Sequence, residues 1–145
     1  MLRAAILGAT GAVGQTFVRL LADHPLFEVV SVVASERSAG KPYREAANWV
    51  QATPMPDRIG DLVVKSVDAA PEADVVFSGL DASVAGDVEA DFARRGYAVV
   101  SNARNYRMDP TVPLLIPEVN PDHLALIDRQ TWGEGFIVTN PNCST

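Results

Sequence analysis

The chain has 145 residues, with 12 Lys and Arg against 18 Asp and Glu, and a formal net charge of −6. Its composition, 48% hydrophobic and 21% charged, is typical of one globular domain and excludes a disordered chain. The excess of acidic residues argues against binding to nucleic acids or membrane surfaces. We expect no membrane-spanning helix, signal peptide or metal site. The single cysteine fits a protein of the reducing cytoplasm.

Short apolar runs alternate along the chain with segments of helical periodicity. The runs are rich in β-branched residues, which favour strands, and the helical segments carry apolar residues three or four positions apart. The predicted elements are, in chain order, a strand at 4–7, a helix at 13–21, a strand at 27–34, a short helix at 46–51, strands at 62–66 and 74–79, a helix capped by Ser83 and closed by Gly96, strands at 98–101 and 114–116, a helix at 121–129 and a strand at 136–139.

Apolar spacing also predicts which side chains face the core. On the first helix it selects Val13, Phe17, Leu20 and Leu21; on the later helices it selects Val84, Val88, Phe92, Leu124 and Ile127. Strands that alternate with helices predict βαβ units and a parallel sheet, and right-handed crossovers place helices on both faces. The expected fold is therefore α/β, a doubly wound, Rossmann-type, mostly parallel sheet with helices on both faces.

A glycine-rich loop joins the first predicted strand to the first predicted helix. It reads Gly8-Ala9-Thr10-Gly11-Ala12-Val13-Gly14. Its glycines allow a phosphate to approach backbone N–H groups closely, and the helix N-terminus adds partial positive charge. The spacing alone is a weak signal, because strand–helix packing also needs glycines. In this strand-to-helix context we favour a dinucleotide-binding loop, and the missing Gly-Lys-Ser/Thr ending argues against a nucleoside triphosphate.

The segment Ser35-Glu36-Arg37-Ser38 follows the second predicted strand. In dinucleotide-binding folds an acid here binds the ribose 2′-hydroxyl of NAD, whereas an arginine accommodates the 2′-phosphate of NADP. Arg37, with the hydroxyls of Ser35 and Ser38, favours NADP. Glu36 favours NAD, and both charges are also compatible with a solvated loop. We expect NADP.

The only cysteine, Cys143, follows the last predicted strand in the segment Asn140-Pro141-Asn142-Cys143-Ser144-Thr145. At the start of a helix, a cysteine is favoured in its nucleophilic thiolate form. Local chemistry supports equally well a buried cysteine that packs as a small hydrophobe. The histidines, His24 and His123, are expected at the surface, so a thiol enzyme would need a base from outside this chain.

Six segments resemble the aspartate-semialdehyde dehydrogenases, particularly their archaeal and fungal-like branch. The related acetylglutamyl-phosphate reductases carry Gly where Asn142 stands, which argues against them. The segments with this resemblance are Gly8–Gly14, Ser35–Gly40, Ser101–Ala103, Tyr106–Met108, Ile116–Asn120 and Asn140–Thr145.

The resemblance implies NADPH-dependent reduction of L-aspartyl-4-phosphate to L-aspartate 4-semialdehyde and phosphate through a cysteine thioacyl intermediate. This is a step of lysine (diaminopimelate), threonine and methionine biosynthesis. Cys143 matches the nucleophile, Arg107 the phosphate-binding arginine, and Asn142 the residue that helps to place the phosphate. For Arg107 the alternative is a surface loop charge, and for Ser83 it is a helix cap. The cofactor residues implied are Gly8, Thr10, Gly11, Ala12, Val13 and Gly14 for the pyrophosphate, Ser35, Arg37 and Ser38 for the 2′-phosphate, and Ser83 for the nicotinamide half.

The chain departs from the family pattern at Asp81, where Pro is expected, and at Arg104 and Asn105, which replace a Ser and a small residue. In the family the catalytic histidine, the carboxylate-binding arginine and most of the dimer interface come from a following domain. The resemblance therefore implies that 1–145 is an NAD(P)-binding domain which lacks the catalytic and dimerisation domain and is inactive alone. It also implies a cytoplasmic homo-oligomer, a dimer or tetramer, with a small acyl-phosphate substrate.

Two other functions remain open. A reductase of a related acyl thioester, such as malonyl-CoA reductase, resembles the same branch, and Arg107 only mildly favours a phosphorylated substrate. A noncatalytic dinucleotide-binding module that senses redox state would bind the cofactor and carry an inert Cys143. Alkylation of Cys143 much faster than that of a peptide thiol would favour an enzyme over such a module.

Overall fold

The computed structural model describes residues 1–144. The chain divides into two compact units, one spanning Met1–Leu80 and a second beginning at Asp81. Each unit contains parallel strands joined to helices, and each is described separately below.

The first unit contains three parallel strands. They are β1 (Leu2–Leu7), β2 (Phe27–Val33) and β3 (Val75–Ser78), in the order β2-β1-β3. The central strand is buried along residues 4–7, because a parallel strand with neighbours on both edges is covered on its faces as well. The carboxyl end of β1 therefore leads straight into the glycine loop from a rigid position.

Helix α1 (Ala12–Leu21) follows the glycine loop, as predicted. Its inward side differs from the predicted one, because Leu20 is exposed while Val18 is fully buried. A glycine and a glutamine thus occupy positions that apolar spacing did not select. The buried residues of α1 are Gly14, Gln15, Val18 and Leu21.

The segment between β2 and β3 is less regular than predicted. It contains two one-turn helices, α2 (Tyr43–Ala46) and α3 (Asp57–Gly60). The predicted helix at 46–51 is wrong, because Ala47 is already extended, with φ −93° and ψ 131°. A buried Tyr43, rather than an apolar stripe, fixes this helical turn.

The predicted strand at 62–66 is also wrong. The structure forms only isolated bridges there, between Val63 and Pro42 and between Lys65 and Val33. Only Val64 is fully withdrawn from solvent, which leaves too short an apolar run to sustain a strand.

The second unit contains α4 (Ala82–Arg94), β4 (Ala98–Ser101), the 3₁₀ helix Pro121–Arg129 and β5 (Phe136–Thr139). Strands β4 and β5 pair in parallel and have the predicted bounds. Gly96, with φ +94°, follows α4 as the predicted C-terminal glycine, because this left-handed conformation is costly for other residues.

Helix α4 begins one residue before the predicted cap. Asp81 is the N-cap residue, and Ser83 lies inside the first turn, where its hydroxyl donates to the Asp81 carboxylate at 3.0 Å. The assignment of Ser83 as the cap is therefore wrong. Val84 is exposed, whereas Phe92 is buried as predicted.

Two further predictions for the second unit need correction. Residues 114–116 form only an isolated bridge from Leu114 to Thr139, because Pro113 and Pro117 leave no room for a longer ladder. The helix at 121–129 is a 3₁₀ helix without buried residues, and Leu124 is exposed. The α/β class itself is confirmed, since the strands pair in parallel and alternate with helices along the chain.

Candidate functional site

Three glycines of the first unit bring the backbones of β1, α1 and the end of β3 into close contact. Gly8 has φ +70°, a left-handed conformation that favours glycine. A Cβ at Gly14 would lie 2.1 Å from the carbonyl oxygen of Gly8, and a Cβ at Gly79 would lie 2.8 Å from the backbone nitrogen of Gly14. A side chain is therefore excluded at each position. Gly79 belongs to no motif, and no pattern in the sequence selects it.

Two buried polar side chains form hydrogen bonds to backbone carbonyl groups of the glycine loop. The Gln15 amide donates to the carbonyl oxygens of Thr10 and Asn48 at 3.0 and 2.9 Å. The Tyr43 hydroxyl donates to the carbonyl oxygen of Ala9 at 2.6 Å. Burial raises the pKa of Tyr43 well above its ordinary value, so this hydroxyl keeps its proton and remains a donor. These three hydrogen bonds fix the loop in one conformation.

The glycine loop is open to solvent at the start of α1, where the N–H of Gly11 is bonded to the carbonyl oxygen of Gly8 at 3.1 Å. Gly11 and Ala12 are exposed, and Thr10 and Val13 are half-buried. The first N–H groups of a helix have no partner within the helix, and α1 begins at this point. Such a helix start, preceded by a tight glycine turn, is suited to bind the oxygens of a phosphate group.

The turn after β2 places both charges of the predicted ribose segment in solvent. Ser35, Glu36 and Arg37 are exposed, and the backbone nitrogen of Ser38 donates to the carbonyl oxygen of Ser35 at 2.9 Å. Within residues 1–144, the side chains of Glu36 and Arg37 make no hydrogen bond or ion pair with the protein. Either charge is therefore available to a ligand.

In the second unit, the thiol of Cys143 is exposed, which argues against a cysteine packed as a small core hydrophobe. The side-chain amide of Asn102 donates to the Cys143 sulfur at 3.6 Å. The neighbouring Asn142 is also exposed, and its side-chain oxygen accepts a bond from the backbone nitrogen of Ser144 at 2.8 Å. Thr145, the last residue of the predicted segment, lies outside the described residues.

The side chain of Arg107 is half-buried beside this cysteine segment. Its Nε donates to the carbonyl oxygen of Asn140 at 3.0 Å, and its Nη2 donates to the carbonyl oxygen of Asn102 at 2.8 Å and to the Asn140 side chain at 3.3 Å. A guanidinium has five N–H donors, so the donors that these bonds leave are on Nη1. Arg107 is therefore held in place by the protein, which argues against a freely solvated loop charge.

Asn102 and Asn140 link the predicted nucleophile to the predicted phosphate-binding arginine. The Asn140 amide donates to the side-chain oxygen of Asn102 at 2.6 Å, and Asn102 contacts both Cys143 and Arg107. Neither asparagine was assigned a role from the sequence. A signal was present, however, because each residue directly follows a strand of a parallel pair, and the carboxyl ends of parallel strands meet at one edge.

A buried hydrogen-bonded pair supports the turn that carries Asn102. Ser101 and Glu89 are both buried, and the Ser101 hydroxyl donates to the Glu89 carboxylate at 2.7 Å. The same hydroxyl accepts a bond from the backbone nitrogen of Ala103 at 2.9 Å. The residues on either side of Asn102 are thereby fixed to the interior of the unit.

The loop that precedes Arg107 is bound to helix α4. The Tyr106 hydroxyl donates to the carbonyl oxygen of Gly86, and the Asn105 amide donates to the carbonyl oxygen of Ala82 at 2.9 Å. Burial raises the pKa of Tyr106, which keeps that hydroxyl protonated. Arg104, the residue that departs from the expected pattern, is exposed.

Among residues 1–144, no group of three or more His, Cys, Asp or Glu side chains is placed to hold a metal ion. In the same part of the chain, no helix has the length and apolar character needed to span a membrane.

Comparison with known proteins gives consistent matches. Residues 3–127 match the family described as "Semialdehyde dehydrogenase, NAD binding domain". The aspartate-semialdehyde dehydrogenase of Trichophyton rubrum is 49% identical over 148 residues, which cover 98% of this chain and 41% of that protein. The one from Methanothermobacter thermautotrophicus is 52% identical over 151 residues, which cover 100% and 43%.

A solved structure agrees with these matches. The crystal structure of aspartate semialdehyde dehydrogenase with NADP from Candida albicans superimposes with a TM-score of 0.91 and 46% identity, covering 99% of this chain and 43% of that chain. The chain therefore spans less than half the length of the relatives that it matches.

Proposed function

Because the chain belongs to the family of semialdehyde dehydrogenase NAD-binding domains, we propose that it is the cofactor-binding portion of an enzyme that reduces L-aspartyl-4-phosphate to L-aspartate 4-semialdehyde and phosphate with NADPH. The observation that carries this proposal is the network that joins Cys143 to Arg107 through Asn102 and Asn140. The network connects an exposed thiol to a fixed cation, and a phosphorylated acyl substrate needs both a nucleophile and a cation that binds its phosphate.

The first unit fits a dinucleotide. The backbone contacts at Gly8 and Gly14 leave no space for side chains, so the loop can bring N–H groups close to a pyrophosphate. Arg37 is exposed with no partner among the described residues, and with Ser35 and Ser38 it would hold the 2′-phosphate of NADP. When bound, NADPH supplies the hydride for the reduction.

The thiolate of Cys143 would attack the acyl carbon of the substrate. A carbon–sulfur bond forms, the carbon–oxygen bond to the phosphoryl group breaks, and phosphate leaves with that electron pair. The exposed position of Cys143 is consistent with attack on a small molecule that approaches from solvent. Thioester formation thus separates loss of phosphate from the later reduction.

Arg107 would bind the phosphoryl group during this attack. Its Nε and Nη2 already hold the protein, so we assign the phosphate contact to the donors on Nη1. This differs from the side-on, two-nitrogen contact that the residue type alone suggests. Asn142, exposed next to the nucleophile, would help to place the same phosphate.

From the family resemblance we also assign Ser83, which is exposed in the first turn of α4, to the nicotinamide half of the cofactor. We also propose that the enzyme acts in the cytoplasm as a homo-oligomer, and that its acid–base and carboxylate-binding residues lie outside 1–145. These parts rest on the family resemblance, and size-exclusion chromatography of the complete enzyme tests the assembly.

Acyl transfer to Cys143 in the complete enzyme tests the proposed chemistry directly. The complete enzyme is mixed with L-aspartyl-4-phosphate, and intact-mass spectrometry follows the acyl adduct. We expect one adduct, absent in Cys143→Ser. We expect Arg107→Lys to slow its formation by about tenfold, the equivalent of one charge-assisted hydrogen bond. Arg104→Lys, in the same loop but exposed, is the matched control and should react at the wild-type rate.

Two results would contradict the proposal. An adduct that persists in Cys143→Ser would exclude the assigned nucleophile. Faster acylation by malonyl-CoA than by the acyl phosphate would instead favour a reductase of acyl thioesters.

A further inference from the structure

Asn102 makes three hydrogen bonds at the centre of the cysteine site. Its side-chain oxygen accepts from the Asn140 amide at 2.6 Å, and its own amide donates to the Cys143 sulfur at 3.6 Å. Its carbonyl oxygen accepts from the Nη2 of Arg107 at 2.8 Å. Asn102 thus contacts the cysteine and the second asparagine through its side chain, and the arginine through its backbone.

The direction of these bonds follows from Arg107. A guanidinium only donates, so the Asn140 side-chain atom that it contacts must be the oxygen. The amide nitrogen of Asn140 then faces Asn102 and can only donate, which requires the oxygen of Asn102 on that side. The amide nitrogen of Asn102 is therefore forced to face Cys143.

The Cys143 sulfur is consequently placed as a hydrogen-bond acceptor. A thiolate is a much stronger acceptor than a neutral thiol, and a bond to the charged form of a group favours that form. The same chain of bonds also fixes where the sulfur lies relative to the Arg107 guanidinium.

The backbone of Asn102 has little freedom to move away from the sulfur. Ser101 is anchored to the buried Glu89 carboxylate, and the nitrogen of Ala103 is bonded to the Ser101 hydroxyl. An amide donor on a fixed backbone needs little reorganisation when charge develops on its acceptor.

We propose that Asn102 is a positioning residue for Cys143, which holds the sulfur in place with an amide N–H donor. The proposal rests on the proposed function, in which Cys143 is the nucleophile. It adds a residue to the reaction and assigns Arg107 a second task, which is to fix the orientation of both asparagines.

The test is the pH dependence of alkylation of Cys143 by iodoacetamide in this chain. In Asn102→Asp the carboxylate still accepts from Asn140, but it presents an unprotonated oxygen to the sulfur. We expect the alkylation rate at pH 7 to fall about tenfold, because a donor to the sulfur is replaced by a negative charge. Asn102→Ala, which removes the donor without adding charge, should lower that rate by about threefold.

Asn105→Asp is the matched control, because it adds the same charge to the same loop and Asn105 contacts Ala82 rather than Cys143. We expect its profile to superimpose on that of the wild type. Profiles for both Asn102 variants that match the wild type would overturn the proposal. An equal shift in Asn105→Asp would do the same, because it would indicate a general effect of loop charge.

A measurement on the unchanged residue covers the case in which the Asn102 variants do not fold. In the wild-type chain, the side-chain amide resonances of Asn102 should titrate together with the thiol, and they should be independent of pH in Cys143→Ala. Amide resonances that do not change as the thiol titrates would refute the contact between the Asn102 amide and the Cys143 sulfur.

Alkylation requires neither substrate nor cofactor, so this test separates the two proposals. Slower alkylation in the Asn102 variants, with no acyl transfer in the complete enzyme, would refute the proposed activity and leave the positioning role intact. Acyl transfer in the complete enzyme, with alkylation profiles that match the wild type in the Asn102 variants, would support the proposed activity and refute the positioning role.

Discussion

Replacing Gly14 by alanine should separate helix α1 from the glycine loop. The added Cβ would lie 2.1 Å from the carbonyl oxygen of Gly8 and 2.7 Å from the Cα of Ala9, and ordinary contact begins at 3.4 Å. The two backbones must therefore move apart by more than an ångström. Neither contact is with a flexible side chain that could turn aside.

The expected loss of stability can be worked from these contacts. Overpacking of this kind costs about 1–3 kcal/mol, and the upper end applies because only backbone atoms are involved. Alanine recovers about 1 kcal/mol over glycine inside a helix. The net loss is about 2 kcal/mol, which for a domain of this size lowers the Tm by about 4–8 °C.

Gly86→Ala provides the matched control in helix α4. There the nearest atom to the added Cβ is the Asn105 side-chain nitrogen at 3.1 Å, and that side chain is exposed and can shift. The helical preference of alanine should then leave the Tm unchanged or slightly raised.

Thermal unfolding followed by far-UV circular dichroism, with and without NADPH, measures both variants. We expect Gly14→Ala to lose stability and also the added stability that bound NADPH gives the wild type. A Gly14→Ala chain with the wild-type Tm and an unchanged response to NADPH would refute this reasoning.

Further predictions concern buried hydroxyls. Tyr43→Phe removes the bond to the carbonyl oxygen of Ala9 and should lower the free energy of unfolding by about 1–2 kcal/mol in urea titrations at pH 7. Burial raises the pKa of Tyr43, so its contribution to stability is complete below about pH 10 and is lost as the pH rises through the raised value. The wild type should therefore lose more stability in alkali than Tyr43→Phe, and parallel pH curves would contradict this. Ser101→Ala removes the hydrogen bonds to Glu89 and Ala103 and should lower the free energy of unfolding by about 2 kcal/mol. The same variant should also slow acylation of Cys143. A loss of stability without any change in the acylation rate would show that the turn at Asn102 does not need this support.

The regular elements could be predicted where local signals coincide. Strands β4 and β5 have the predicted bounds because each is a short apolar run between turn residues, with Gly96 before one and Asn140-Pro141 after the other. The first turn of α4 was misassigned because Asp81 and Ser83 both suit a cap, and local sequence does not show that the serine donates to the aspartate.

The supports of the two candidate sites could not be predicted, because they depend on contacts between residues far apart in the chain. Tyr43 reaches Ala9 across 34 positions, and Asn140 reaches Asn102 across 38. A glycine loop and a lone cysteine can be recognised from their neighbours. The partner that fixes each of them appears only after the strands have set the loops side by side.

The arginine after β2 offers the most direct test of the central claim, that this is an NADP-binding domain. Fluorescence titration with NADPH and NADH should show preference for NADPH, and Arg37→Ala should weaken NADPH binding by about tenfold while NADH binding stays the same. Arg58→Ala, which removes an exposed arginine paired with Glu28, is the control and should bind both cofactors as the wild type does. Two results would contradict this claim: tighter binding of NADH than of NADPH by the wild type, or an equal loss of affinity for both cofactors in Arg37→Ala. Either result would assign the ribose contact to Glu36 instead.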